Sequence, residues 1–130
     1  MITRRAMMAA SLLASGLLVS AASAAERSDF TQDAFDAAQK AGKPILVEIH
    51  ATWCPICKAQ APILADLEKE PRFKDLAVFH VDFDDQKDVV KRFGARIQST
   101  LITFKGESET GRSVGDTNRE TLAALLAKAL

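Results

Sequence analysis

Two cysteines, Cys54 and Cys57, stand between segments of opposite character. Before them, Ile45-Leu46-Val47-Glu48-Ile49-His50 is a short, β-branched apolar run, which predicts a buried strand. After them, residues 54–70 predict a helix. Pro55 suits its first turn, where no amide donor is needed, and Pro71 marks its end. Pro62 lies inside and is expected to kink it by removing one backbone hydrogen bond. A C-x-x-C pair that follows a strand and opens a helix is a strong redox signal, whereas the same spacing alone also occurs in metal sites.

The chemistry follows from position. At a helix N-terminus, orphan amides and the macrodipole favour negative charge. The Cys54 thiolate is stabilised there, and the thiolate is the attacking species. Cys57, three residues on, is near enough to close a small disulfide ring. Cys54 attacks a substrate disulfide to form a mixed disulfide, and Cys57 attacks that intermediate and releases reduced substrate; the reverse sequence oxidises a substrate. Cys54 is therefore the expected nucleophile and Cys57 the resolving thiol, with Trp53, Pro55 and Ile56 beside them. No soluble cofactor and no resident metal are required, because the redox-active disulfide carries the electrons.

The remaining segments supply a frame. Residues 30–41 predict a helix capped by Thr31, with Ala34, Phe35 and Ala38 on one face and Gly42 at its end. Residues 76–83 predict a second strand, and Asp84 or Asp85 is expected to cap a short helix over 86–93 that Gly94 closes. Residues 100–105 and 110–115 predict a hairpin through a turn at 106–109. Thr117 or Asn118 starts a last helix striped by Leu122, Leu125, Leu126 and Ala129. A helical crossover makes the first two strands parallel, and the hairpin adds an antiparallel pair. The expected fold class is α/β: a mixed central sheet of about four strands flanked by helices on both faces.

Residues 1–24 read as an export signal: Arg4 and Arg5 precede an uncharged stretch, and Ala22-Ser23-Ala24 forms a small-x-small cleavage site. The apolar part is short and diluted by Ser11, Ser15, Gly16 and Ser20, which disfavours a permanent membrane span. Arg4-Arg5 leaves Sec and twin-arginine export both open. Cleavage after Ala24 leaves a domain at 25–130 with 15 basic and 17 acidic residues and both cysteines. Export places those cysteines where disulfides persist, in a bacterium the periplasm. A hydrophobic fraction of 48% with 26% charged residues excludes a disordered or collagen-like chain. Zero net charge without a Lys/Arg cluster offers nucleic acid no general field.

At these residues the chain resembles the thioredoxin superfamily. The matching pieces are Lys43-Pro44-Ile45-Leu46-Val47-Glu48, Ala51-x-Trp53-Cys54-x-x-Cys57-Lys58, Ala61-Pro62, Val81-Asp82 with Asp84, and Leu101-Ile102-x-Phe104-Lys105-Gly106. The resemblance implies a thioredoxin-like fold over about 31–130 and, from the Lys-Pro opening and the export signal, a soluble reductase or relay of bacterial envelopes. Its implied partners are protein thiols and disulfides of the envelope and a membrane-bound electron donor. The stretch between Cys57 and Leu76 has no room for the inserted helical domain of the large envelope dithiol oxidases.

The resemblance also implies that Glu48 is a buried acid that moves the proton of the resolving thiol, with a pKa raised by burial. His80 falls where the family often has a lysine approaching that acid, so a His80–Glu48 contact is expected. His50 shares a strand face with Glu48 and is a candidate to tune the cysteines; for both histidines the alternative is simple packing. The family normally carries a cis-proline beside the disulfide, and here Gln98-Ser99-Thr100 puts Ser99 at that position. A cis bond before serine would cost ~3–4 kcal/mol, so trans is expected. Altered substrate docking through Gln98, Ser99 and Thr100, and a Ser99 hydroxyl bonded to a sulfur, follow as expectations.

Three alternatives stay open. The pair could serve an oxidase or isomerase, since family potentials run from ~−270 to ~−120 mV. Loss of the proline could open the dithiol to zinc or an iron–sulfur cluster, with two chains supplying four thiolates and His50 as a further ligand. Finally, the chain could hold a partner polypeptide without turnover.

Overall fold

A computed structural model describes residues 24–130 together with residue 16, so the expected leader, 1–24, lies almost wholly outside the described residues. In chain order the elements are β1 (Glu26–Asp29), α1 (Gln32–Lys40), β2 (Pro44–His50), α2 (Pro55–Glu68), a 3-10 turn (Pro71–Phe73), β3 (Ala77–Asp82), α3 (Lys87–Arg92), β4 (Thr100–Lys105), β5 (Ser108–Val114) and α4 (Arg119–Ala127). They build one mixed sheet in the order β1-β3-β2-β4-β5. β3 runs parallel to both β1 and β2, while β4 is antiparallel to β2 and β5.

The sheet has five strands, not about four. The added strand is β1, whose Glu26-Arg27-Ser28-Asp29 contains no apolar residue and is exposed throughout. It pairs only at the edge, through its backbone to β3, so hydrophobic periodicity had nothing to detect.

Alternation along β2 divides the core. Ile45, Val47 and Ile49 face α1 and α3 in a cluster with Phe30, Phe35, Phe79 and Ile102. Leu46 faces the opposite side with Leu64 and Leu67 of α2 and Leu122 and Leu126 of α4. Glu48 and His50 alternate with Leu46 and so share that second face. Both faces of β2 are covered, which is why its sequence reads as a continuous apolar run.

The caps agree in most places. Thr31 accepts the amide of Ala34, and Asn118 accepts those of Glu120 and Thr121. Gly42 and Gly94 follow α1 and α3 with φ of +70° and +65°, the left-handed turn that glycine permits. At α3 the expectation of an Asp84 or Asp85 cap fails. The N-cap is Gln86 and makes no side-chain cap bond. Instead, Asp82 Oδ1 accepts the amides of both Asp84 and Asp85, which spends those residues on a turn. β5 begins at Ser108, two residues before the expected 110, so the hairpin turn is tighter. The helix α2 runs from Pro55 to Glu68 with Pro62 inside it.

Candidate active site

β2 delivers the chain to the end of the sheet, and a short turn then reverses it into α2. Cys54 is the N-cap of α2 with extended backbone (φ −79°, ψ 113°), and Pro55 begins the helix. In that position its side chain does what a cap does: Sγ accepts the backbone amide of Cys57 at 3.1 Å. An N–H aimed at sulfur stabilises a thiolate more than a thiol. Both cysteines are free thiols and buried, 1% and 2% exposed, in a small cluster with Ala51 against which Phe83 packs.

The two sulfurs differ in environment. Burial, then the hydrogen bond to Cys54, pushes the Cys57 thiol from its ordinary 9.0 up to about 11, while backbone groups of Ala51 and Ser99 pull it down. A pKa raised in the folded state contributes stability that is fully present below the unfolded value and is lost as pH rises through the folded one. The reduced protein should therefore lose stability between pH 9 and about 11, and a Cys57→Ala variant should lack that decline. Denaturant midpoints across this range measure it; parallel curves for the two proteins would refute it.

Trp53 and Ile56 flank the pair and are 54% and 43% exposed, so apolar surface surrounds the dithiol where a polypeptide could lie. The indole Nε1 of Trp53 donates to Asp84 Oδ2 at 2.8 Å, fixing the ring beside the helix start. On the other side runs the segment 97–100. Gln98 is half-buried, Ser99 is buried, and Thr100 opens β4 with its hydroxyl donating to the Ile97 carbonyl at 2.7 Å.

Ser99 occupies a particular backbone state. No cis peptide bond occurs among the described residues, and Ser99 has φ +61°, a left-handed value found at no other described non-glycine residue. Its amide donates to the Ile49 carbonyl at 2.8 Å, and its carbonyl accepts from Gly115 at 3.0 Å. The expected hydroxyl–sulfur bond is not formed; the Ser99 group that acts on Cys57 is backbone. Left-handed serine is strained by roughly 1–2 kcal/mol, and the two backbone bonds oppose that cost.

Glu48 is buried at 4% exposure on β2. Its partner is not His80, as expected, but Arg27 of the edge strand, whose guanidinium donates to Glu48 Oε2 at 2.6 Å. The same guanidinium donates to both carboxylate oxygens of Glu68 at the end of α2, at 3.3 and 2.5 Å. Burial lowers the Arg27 pKa, but the hydrogen bond to Glu68 and the charges of Glu48 and Glu68 outweigh it, and the net shift is upward. The acid is thus one arm of a carboxylate–guanidinium–carboxylate bridge whose two acids are buried and whose guanidinium is partly exposed.

His80 is Cα-paired with Glu48 across the ladder, but its Nδ1 lies 3.8 Å from Asp29. Its ring centroid is 4.8 Å from that of His50. Burial first, then the charge of His80, pushes the His50 pKa below its ordinary value. The His50 Nδ1 is buried without a hydrogen-bond partner. Cys57 is governed by Cys54, Ala51 and Ser99, and the histidines form a separate pair on β2 and β3. Among the described residues, no group of three or more His, Cys, Asp or Glu side chains could hold a metal ion.

Arg27 and Glu68 join the site without any mark in its motifs, whereas Asp84, one of the matching pieces, joins it through the Trp53 indole. Glu68 carried a signal: Gln60, Leu64, Leu67 and Glu68 recur at helical spacing and are all buried, so a glutamate on that stripe needs a partner. Arg27 carried none.

Comparison with known proteins agrees with this geometry. The family described as Thioredoxin matches residues 26–128. A Brassica campestris protein described as thioredoxin H-type is 36% identical over 90 residues, covering 69% of this chain and 72% of its own length. A Pseudomonas aeruginosa thioredoxin is 34% identical over 87 residues, 67% of this chain and 80% of its own. Among solved structures, Trxlp from Edwardsiella tarda EIB202 superposes with a TM-score of 0.76 at 40% identity, covering 78% of this chain and 98% of that one.

Proposed function

The chain belongs to the thioredoxin family of thiol–disulfide oxidoreductases, and from that premise we propose that it is an exported reductase or electron relay for disulfides of envelope proteins. Cys54 is the nucleophile, Cys57 the resolving thiol, and Glu48 on β2 the group that handles the proton of the resolving thiol. The dithiol itself carries the electrons, so no soluble cofactor takes part, and a membrane-bound donor returns the dithiol to its reduced form. The observation that carries this reading is the Cys54 sulfur acting as N-cap of α2 and accepting the Cys57 amide. One buried sulfur thereby receives an amide N–H at the helix start, and the second is held three residues away as a thiol.

Export is supported by Arg4-Arg5, the apolar stretch and Ala22-Ser23-Ala24. β1 begins at Glu26, two residues past the expected cut. In this reading the mature chain is 25–130.

The direction of electron flow is tested by the reduction potential of Cys54/Cys57, titrated against glutathione. A value near ~−270 mV is expected, the reducing end of the family range. A value near ~−120 mV would make the protein an oxidase and overturn the reductase reading.

A further inference from the structure

A cavity of about 550 Å³ lies between α3 and the segment leading to Ser99. Its apolar lining comes from Phe83, Val90 and Ala95, and its charged lining from Lys87, Lys91 and Arg96. No carboxylate lines it. Among the described residues, these three cations form no ion pair, and three of the four acids in 82–88 have other partners. Asp84 accepts the Trp53 indole, Asp82 accepts two turn amides, and Asp88 lies 3.5 Å from Arg92. The cavity therefore combines apolar surface with three cationic side chains that no ion pair engages, in a domain that is otherwise slightly acidic.

Its position is informative. Phe83 packs against the Ala51, Cys54 and Cys57 cluster, so one wall is shared with the dithiol. Arg96 is followed by Ile97, which is 45% exposed, and the chain then passes through Gln98 to Ser99. A polypeptide lying across the dithiol along residues 97–99 would place its next few residues in this cavity. The volume suits a few side chains rather than a folded element.

We propose that this cavity binds an acidic, partly apolar segment that flanks the reactive disulfide of the substrate polypeptide. The proposal rests on the disulfide-exchange reading and adds to it a substrate class. Apolar side chains cover Phe83 and Val90, while carboxylates meet Lys87, Lys91 and Arg96. Complementary charge next to a reactive group acts mainly on the encounter rate and on discrimination among partners.

Three synthetic disulfide peptides of equal length test this, with Glu-Leu, Gln-Leu or Lys-Leu flanks. At low salt the acidic peptide should be reduced about tenfold faster than the neutral one, and the basic peptide more slowly still. High salt should close the gap. The triple variant Lys87→Gln, Lys91→Gln, Arg96→Gln should react with acidic and neutral peptides at one rate. A charge-matched control, Lys40→Gln, Lys69→Gln, Lys128→Gln, should keep the preference. Equal rates for all three peptides in the wild type would overturn the proposal while leaving disulfide exchange intact. So would a preference that survives in the cavity variant, or one that the control loses equally. If no peptide and no small neutral disulfide is reduced, disulfide exchange itself fails, and the cavity is then judged by binding alone. A fluorescent, cysteine-free Glu-Leu peptide should bind the wild type and not the cavity variant. Absence of binding, or binding of anionic phospholipid vesicles in place of the peptide, would overturn the proposal.

Discussion

Cys57→Ser should stop turnover and leave a protein that captures its substrates covalently. Cys54 still attacks: its sulfur forms a bond to one substrate sulfur, and the other departs as a thiolate. Release requires a second sulfur to attack Cys54, and a serine hydroxyl does not do this at neutral pH. A mixed disulfide should therefore accumulate, visible as a shifted, reductant-sensitive band on gels and as the added mass of the substrate fragment. Cys54→Ser should capture nothing, with turnover falling to background, roughly a thousandfold or more. The assignment rests on two features of the site. The Cys54 sulfur caps α2 and accepts an amide, while burial and the Cys54 hydrogen bond hold Cys57 as a thiol up to about pH 11. Capture by Cys54→Ser in place of Cys57→Ser would reverse the two roles. Undiminished turnover in either variant would remove the mechanism.

Arg27→Met should be the most damaging change outside the cysteines. It strands two buried carboxylates, Glu48 and Glu68, which are 4% and 8% exposed. Removing one partner of a fully buried ion pair costs roughly 3–5 kcal/mol. The Arg27 side chain is itself 38% exposed, so solvent screens part of the interaction, and about 2–3 kcal/mol is the expected loss. For a domain of this size that lowers Tm by roughly 10–20 °C. Adding Glu48→Gln and Glu68→Gln to Arg27→Met should restore part of the stability, because no uncompensated charge then remains. Thermal and denaturant unfolding of the three proteins decide the matter. A loss below about 0.5 kcal/mol, the range of ordinary surface substitutions, would mean the bridge is not a structural element. A triple variant no better than the single one would mean that lost packing, not stranded charge, is the cause.

The bridge shows where reading the residues stops. The apolar run at 45–50 announces a strand, and its even and odd positions announce two covered faces. The glycines at 42 and 94 and the caps at Thr31 and Asn118 are equally legible, because each acts on backbone groups a few residues away. Glu68 is legible as a buried position from its helical spacing with Leu64 and Leu67. Its partner is not, because Arg27 lies 41 residues earlier on a strand with no apolar pattern. His80 illustrates the opposite error. Ladder register does pair it with Glu48, but register aligns Cα atoms and leaves the side chains to choose; His80 lies toward Asp29 and the acid takes Arg27.

What the sequence determined by itself about this protein is everything governed by short range. That includes the strand–turn–helix order, the place of Cys54 at the helix start, the three-residue step to Cys57, and a trans bond before Ser99. What only the tertiary structure decided is everything set by which distant segments meet: the edge strand β1, the bridge through Arg27 that surrounds Glu48, the left-handed backbone at Ser99, and the cationic cavity beside Phe83. The physical reason is a difference of range. Caps, turns and hydrophobic periodicity are settled by neighbours along the chain, whereas the partner of a buried charge is settled by whichever opposite charge the packed sheet brings within hydrogen-bond distance.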